Sequence, residues 1–169
     1  MSHQSSLDNT VDALRTAFDR AFTLPERAER PPSSAYVCMR VAARRFAVRA
    51  DESLGGRADV PVTRVPSTNP LLLGVANLHG SVMPVCDLRQ IVGEPALSSA
   101  TEVVSGMVIV RQGKTFLALA CDEVMGLEWV PDSEVYGETV ALRDGAVPLL
   151  HAADVIAKAI PDMQGPSQI

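Results

Sequence analysis

Cysteine and histidine are the side chains of this sequence that could supply a nucleophile and a base. Cys86 follows His79 by seven residues, and a thiol activated by an imidazole is a common arrangement for covalent catalysis. Cys86 lies, however, in an apolar strand-like segment, where cysteine commonly acts as a small buried hydrophobic residue. We therefore predict a structural role for Cys86 and no catalytic residue in the chain.

Metal, phosphate and carboxylate chemistry also lack the residue spacing that they require. The three histidines and three cysteines show no ligand spacing such as Cys-x-x-Cys. The glycine pair at 55–56 is not followed by the Lys-Ser/Thr of a phosphate loop. Asp122 and Glu123 are adjacent, so on a strand their side chains point to opposite faces. The sequence predicts no metal site, no cofactor and no enzyme activity.

Composition excludes several further classes of protein. The chain has 169 residues, enough for one domain or two small halves that share a core, and a formal net charge of −5. A nucleic-acid-binding protein is expected to be basic and rich in stacking rings, whereas aromatic residues make up 4% of this chain. No apolar run approaches the roughly 20 residues of a membrane-spanning helix. We predict a cytoplasmic protein that binds no nucleic acid and does not insert directly into a membrane.

Charge is distributed unevenly along the chain. Residues 35–95 contain seven basic and five acidic residues, whereas residues 96–169 contain four basic and ten acidic residues. This asymmetry is compatible with oriented docking to a charged partner. A solvated acidic surface is the alternative explanation.

The first 34 residues form a segment of their own. Apolar residues recur every three or four positions over residues 9–24, which predicts a helix that begins at Asn9 and ends before Pro25. The proline-rich residues 25–34 predict a linker. A helix of this length is marginal alone in water, so we expect it to dock on the rest of the chain or to bind a partner.

From residue 35 onward the apolar pattern has the period of strands. A polar stretch over residues 94–102 separates two strand-rich halves, and short helices are predicted over 87–92 and 152–160. Two of the strands are apolar throughout, so they are expected to be buried on both faces. Strands are predicted over 36–41, 45–50, 62–66, 71–78, 81–86, 107–110, 116–121, 124–130, 138–142 and 147–150, and the two apolar ones are 107–110 and 116–121.

The two halves also resemble each other in sequence. Residues 37–40 align with 108–111, and residues 82–85 align with 146–149. Each of the two proline-containing strands is followed by a short helical segment. This repeat predicts a mainly β protein built as a pair of small barrels.

One central segment carries an unusual series of glycine, proline and aspartate residues. Gly74 and Gly80 allow backbone conformations or close approaches that a side chain would block. Pro84 within a strand predicts an edge or a bulge, and Asp87 is well placed to cap the helical turn that follows it. The order of these residues is more informative than any one of them.

This order resembles the signature of the CheW-like domain, the coupling module of bacterial chemotaxis. A second pattern of the family, Asp-x-Val-x-Gly, is present from Asp122 to Gly126. The resemblance covers residues 35 to about 160, with His79 at a position where the family has arginine. The signature positions are filled by Val65-Pro66, Leu73-Gly74, Asn77-Leu78, Gly80, Pro84 and Asp87-Leu88-Arg89.

The resemblance implies a fold and a function. The fold is mainly β, with two SH3-like five-stranded β-barrel subdomains, a few short helices and an additional N-terminal helix. The domain is expected over residues 35–160, with halves at about 35–100 and 101–160, between the segment 1–34 and a tail at 161–169. Its function is that of a non-catalytic adaptor, which couples the cytoplasmic tip of methyl-accepting chemotaxis receptors to the regulatory domain of a CheA-type histidine kinase.

Partner contacts are expected around the central turn. His79 and Ser81 lie at its tip, and the family arginine that His79 replaces belongs to a region of partner contacts. Arg64 and Arg89 are expected to supply charge at the rim, or to be ordinary solvated arginines. The residues expected to shape the turn are Gly74, Asn77, Gly80, Pro84 and Asp87.

Two departures from the family pattern indicate a specialised member. These are the histidine at position 79 and the additional residues 1–34, and they favour an alternative chemosensory pathway such as one that controls pilus motility. The alternative is a stand-alone scaffold that binds a non-receptor partner through its N-terminal helix.

Overall fold

The computed structural model describes residues 31–78, 80–96 and 103–161. Within these ranges the chain forms eleven β-strands, two short α-helices and two 3₁₀ turns. The helices are α1 (Leu88–Ile91) and α2 (Ala152–Ala159), and the 3₁₀ turns are Ala50–Glu52 and Asp132–Glu134. The strands are β1 (Ser33–Val41), β2 (Arg44–Arg49), β3 (Ser53–Pro61), β4 (Leu72–Leu78), β5 (Ser81–Asp87), β6 (Val103–Gln112), β7 (Thr115–Cys121), β8 (Glu123–Pro131), β9 (Val135–Tyr136), β10 (Thr139–Leu142) and β11 (Gly145–Leu150).

The strands form two curled sheets. The first sheet has six strands in the order β8-β1-β2-β11-β10-β9, and the second has five in the order β3-β6-β7-β5-β4. Two neighbouring pairs are parallel, β2 with β11 and β5 with β7, and the others are antiparallel. The chain therefore starts the first sheet, builds the whole second sheet, and then returns to complete the first.

The second sheet closes on itself beside Gly74. Beyond the end of β3, the N–H of Thr63 donates to the carbonyl oxygen of Val75, and the N–H of Val75 donates to that of Thr63, both at 2.8 Å. Gly74 has a φ of +155°, and a Cβ at this position would overlap the Thr63 carbonyl oxygen. Glycine is therefore required where the two ends of the sheet meet.

Apolar side chains in the described ranges form three clusters, one inside each sheet and one shared between the sheets. Along β6, Met107 and Ile109 point into the second sheet, whereas Val108 and Val110 point into the shared cluster. The strand β7 alternates in the same way from Leu117 to Cys121. Burial on both faces is thus confirmed for residues 107–110 and 117–121, whereas Phe116 at the start of β7 is exposed. Because β1, β2 and both helices add residues to the shared cluster, the two sheets are packed as one body.

The predicted mainly β fold with two barrel-like sheets and few helices is confirmed, with differences in the strand arrangement. The first sheet has a sixth strand, the two-residue β9. Each sheet takes strands from both sides of residue 100, so the sheets do not correspond to residues 35–100 and 101–160. The domain limits themselves stay predictions.

The strand β3 was missing from the sequence prediction. It contains the glycine pair 55–56 and is mostly exposed, so it has no apolar alternation to reveal it. The strand predicted over 62–66 is reduced to a single bridge at Thr63. The helix predicted over 9–24 and the tail beyond residue 161 lie outside the described residues.

Candidate functional site

A groove opens where two parallel strands diverge. β5 and β7 pair only from Val85 and Ala118 onward, although the strands begin at Ser81 and Thr115. Pro84 precedes the paired stretch and has no N–H to donate to a neighbouring strand. The unpaired starts of the two strands leave a groove of about 630 Å³ between them. The strand edge predicted from Pro84 is therefore present only at the start of β5, because the rest of β5 is an inner strand of the second sheet.

The groove is lined mainly by apolar side chains. Leu54 from β3, Val82 from β5 and Phe116 from β7 line it, and they are 45%, 70% and 37% exposed. Lys114 supplies a positive charge, and Ser81 supplies a hydroxyl. Large apolar side chains exposed together in this way fit the binding of another protein better than catalysis.

A second apolar surface lies on β8, the edge strand of the first sheet. Leu127 and Trp129 alternate along the strand and are 55% and 67% exposed, and Met125, at a β-bulge of the same strand, is 44% exposed, whereas Val130, adjacent to Trp129, is buried. We call these three exposed residues the β8 strip. Large apolar side chains on an edge strand favour association with another chain, so the strip is a second candidate binding surface.

The structure separates three of the four residues that were predicted to contact partners. Ser81 lines the groove, and Arg64 is exposed in the segment after the bridge at Thr63. Arg89 lies away from the groove lining and is engaged within the molecule. His79 lies outside the described residues. The partner contacts of these residues stay predictions.

Arg89 connects helix α1 to the turn between β1 and β2 through Asp122. Its Nε and Nη2 donate to Oδ1 of Asp122 at 3.0 and 2.7 Å, and Nη2 also donates to Oδ2 at 2.8 Å. Oδ2 of Asp122 accepts the backbone N–H of Ala42, in that turn, at 2.6 Å. The two charged side chains are 24% and 15% exposed, so this is a mostly buried ion pair.

Burial and hydrogen bonding act in opposite directions on the pKa of Asp122. Removal from water raises it, but the hydrogen bonds from Arg89 and from the N–H of Ala42, with the charges of Arg89 and Arg40, lower it by more. The pKa of this carboxyl therefore lies below its ordinary value. The ion pair with Arg89 is consequently fully ionised near neutral pH.

The residues predicted to shape the central turn lie along β4, β5 and their connection. Gly80 stands between the two strands with a φ of +79°, a region that favours glycine. Asn77 is exposed on β4. Asp87 is fully buried at the end of β5, and its Oδ1 accepts the N–H of Arg89 at 2.9 Å. The predicted cap of α1 by Asp87 is confirmed.

The cysteines are buried free thiols. Burial raises the pKa of Cys38 to about 11 and the pKa values of Cys86 and Cys121 to about 12. Such thiols are protonated near neutral pH, and only the thiolate is a strong nucleophile. The burial of Cys86 agrees with the structural role predicted for it.

The described residues hold neither a cluster of metal ligands nor a membrane-spanning helix. Over residues 31–78, 80–96 and 103–161, no group of His, Cys, Asp and Glu side chains is placed to hold a metal ion. No helix in the same ranges is long and apolar enough to cross a membrane.

Comparison with known proteins identifies the family. A family model of the CheW-like domain matches residues 35–155. The chain belongs to the CheW-like domain family. It is 27% identical over 119 residues to Protein FrzA of Myxococcus xanthus, which is 69% of each of the two chains. Its fold is similar to the crystal structure of the scaffolding protein TtCheW from Thermoanaerobacter tengcongensis, with a TM-score of 0.60 at 18% identity, over 83% of this chain and 99% of that one.

Two sequence patterns of the CheW-like family meet in the Arg89–Asp122 ion pair. The Asp-Leu-Arg motif ends at Arg89, and the Asp-x-Val-x-Gly pattern begins at Asp122. The ion pair thus gives both patterns an internal role in holding the double barrel together. CheW-like proteins are non-catalytic scaffolds, which agrees with the prediction that the chain is not an enzyme.

The sequence prediction missed both apolar surfaces of this CheW-like domain. Leu54 lies in the unpredicted strand β3, and Phe116 was assigned only to an apolar strand. The β8 strip has a usable signal, because its three apolar residues occupy alternate positions of one strand. Large apolar residues at alternate positions of an edge strand indicate a candidate contact surface.

Proposed function

We propose that this chain is a non-catalytic chemosensory adaptor, which couples the cytoplasmic tip of methyl-accepting receptors to the regulatory domain of a CheA-type histidine kinase. The observation that carries the proposal is a pair of separate exposed apolar surfaces, the groove and the β8 strip, on one packed body. An adaptor needs two surfaces that different partners can occupy at the same time. The histidine at position 79 further supports a specialised pathway, such as one that controls pilus motility.

Contacts between the sheets support a fixed spacing of the two surfaces. Besides the shared apolar cluster, the Arg89–Asp122 ion pair connects α1 to the β1–β2 turn. Glu52, just before β3, accepts the N–H of Ala152 at the start of α2 at 2.8 Å. A body connected in this way holds its partners in one relative orientation, which is what a signalling scaffold requires.

Each surface is small, and this limits the affinity for a single partner. Interfaces of about 1,200 Å² or less are typical of transient signalling contacts, and micromolar dissociation constants are ordinary for them. Strength in a signalling array would then come from many linked contacts. The proposal therefore requires weak binary complexes that become stable when both partners are present.

Calorimetric titration of the full chain against each partner tests this proposal. The partners are the purified regulatory domain of a CheA-type kinase and a cytoplasmic receptor fragment. Val82→Glu places a charge in the groove, and Trp129→Glu places one on the β8 strip. We expect Val82→Glu to weaken binding of one partner and Trp129→Glu to weaken binding of the other, each by about tenfold or more. The reason is that burying an unpaired charge in an interface is costly. Each variant should leave the other partner's binding unchanged.

Val103→Glu is the matched control for both variants. Val103 is 48% exposed and belongs to neither surface, so this variant should bind both partners as the unmodified chain does. Absence of kinase-domain binding at about 100 µM would contradict the proposal, because weak adaptor contacts are still detectable there. Loss of the same partner in both charged variants would contradict the assignment of two separate surfaces.

A further inference from the structure

The groove between β5 and β7 combines apolar walls with one positive charge. Of the described residues that line it, only Lys114 is charged. Lys114 is exposed, and none of the ion pairs formed within the described residues involves it. Residues 60–86 and 103–121, which supply β5 and β7, contain no acidic residue. An ammonium group in such surroundings is suited to a ligand with an apolar body and an anionic end.

The acidic residues that precede the groove in sequence are engaged elsewhere. Asp51 and Glu52 come shortly before Leu54, which lines the groove. The carboxylate of Asp51 pairs with Arg49 at 2.9 Å. The carboxylate of Glu52 accepts the N–H of Ala152 at 2.8 Å. Both negative charges thus have partners of their own within the molecule, which leaves the positive charge at the groove for a ligand.

The groove is deep enough for an apolar chain but remains open on one side. Met83 is buried and Pro84 is half-buried, whereas Val82 and Phe116 are 70% and 37% exposed. The groove volume of about 630 Å³ lies within the range of roughly 300–1,000 Å³ that is typical of small-molecule sites. A ligand here would contact apolar atoms along its length while part of its surface stays in water.

We propose that the groove binds a medium-chain fatty acid, with its carboxylate on Nζ of Lys114 and its tail against Leu54, Val82 and Phe116. A carboxylate is ionised at neutral pH, and its hydrogen bonds with an ammonium group are charge-assisted. The tail has no polar group that the apolar walls would leave without a partner. This binding requires no other protein, so it goes beyond the proposed adaptor function.

Calorimetric titration of the full chain with decanoate tests the binding. We expect a dissociation constant between about 10 µM and 1 mM, an ordinary affinity for a ligand of about twelve non-hydrogen atoms. Full burial of one CH₂ group strengthens binding about fourfold, and a tail with one side in water should gain about half of that free energy. Each two-carbon step from hexanoate through octanoate to decanoate should therefore lower the dissociation constant about fourfold.

Variants of the lining separate the charged contact from the apolar one. Lys114→Gln should weaken decanoate binding about threefold, as expected for an exposed ion pair, and Lys114→Glu should weaken it about tenfold. Neither change should weaken binding of 1-decanol, which has the same tail without the charge. Val82→Glu should weaken both ligands by about tenfold or more, because it places a charge against the tail. Val103→Glu is the matched control and should bind both ligands as the unmodified chain does.

Nuclear magnetic resonance of the labelled chain locates the ligand. Decanoate should shift the amide signals of residues 81–84 and 114–116 and leave those of the β8 strip in place. Circular dichroism checks that each variant is folded, and Leu54→Glu replaces Val82→Glu if that variant is not. The proposal is overturned by the absence of heat and of shifts at about 1 mM, by equal affinity for hexanoate and decanoate, or by binding that survives a charge in the groove.

The fatty acid and the adaptor function can be tested separately. If the adaptor function is also correct, decanoate should compete with the partner whose binding Val82→Glu weakens. This competition rests on the proposed function, whereas the titration of the chain alone does not. Decanoate binding without any partner binding would contradict only the adaptor function, and partner binding without decanoate binding would contradict only the fatty-acid site.

Discussion

The Arg89–Asp122 ion pair is expected to stabilise the fold far more than the exposed ion pairs of this chain do. The perturbation is a double-mutant cycle with Arg89→Ala, Asp122→Ala and the double variant. The comparison cycle uses Arg40 and Glu123, whose side chains are 41% and 54% exposed, at an N–O distance of 2.9 Å. Both pairs have short contacts, so the two cycles compare a mostly buried pair with an exposed one.

The structure sets the expected magnitude. Hydrogen bonds to charged groups contribute about 1.5–3 kcal/mol each, and residual exposure of the two side chains reduces this gain. We therefore expect a coupling free energy of about 2 kcal/mol for Arg89 with Asp122. The exposed pair of Arg40 with Glu123 should give about 0.5 kcal/mol or less. For a chain of this size, 2 kcal/mol corresponds to a change in Tm of about 4–8 °C.

Urea unfolding followed by far-ultraviolet circular dichroism measures both cycles. The two cycles should differ at pH 7 and converge in acid. Because the pKa of Asp122 is lower in the folded chain, its contribution is present above the unfolded value of about 3.9. It is lost as the pH falls through the folded pKa. Equal coupling in the two cycles at pH 7, or coupling that grows in acid, would refute the reasoning.

Three further predictions concern the core and the turns. Gly74→Ala should lower the free energy of unfolding by about 3 kcal/mol or more, because the added Cβ would overlap the Thr63 carbonyl oxygen. Gly80→Ala should lower it by about 1 kcal/mol, because a Cβ at Gly80 meets open space and only the backbone conformation is unfavourable. An equal cost in urea unfolding would contradict the closure described for the second sheet. Phe46→Ala should lower the free energy of unfolding by about 3–5 kcal/mol in the same measurement, since Phe46 is 1% exposed in the shared cluster. A loss below about 1 kcal/mol would show that this cluster is loosely packed. Cys86 should resist a thiol reagent in the native chain at pH 7 and react in urea, and fast native labelling, located by peptide mass, would contradict its burial.

The parts of the fold that follow from the sequence are those in which local chemistry and tertiary packing agree. Residues 107–110 and 116–121 are apolar throughout, and strands with this composition are stable only when both faces are covered. Asp87 precedes a short amphipathic turn, where a carboxylate that accepts a backbone N–H is the ordinary helix cap. In each case the residues themselves carry the information.

The remaining features depend on distant partners. β3 is exposed and glycine-containing, and it is a strand because it pairs with β6. On β8, the larger apolar side chains face outward, so hydrophobicity alone selects the wrong face for the core. Arg89 could not be placed from sequence, because the carboxylate that engages it is 33 residues away along the chain. The groove exists only because β5 and β7 diverge, and no local pattern reports the angle between two strands.

The order in which the strands enter the sheets has a consequence for synthesis of the chain. A nascent polypeptide that has reached Cys121 carries every strand of the second sheet, but only β1 and β2 of the first. The early hairpin still lacks both of its neighbours, β8 and β11, and it presents apolar side chains on both faces. It must wait until residues 123–150 have been synthesised, and a ribosome that stalls in this interval leaves a product prone to aggregation.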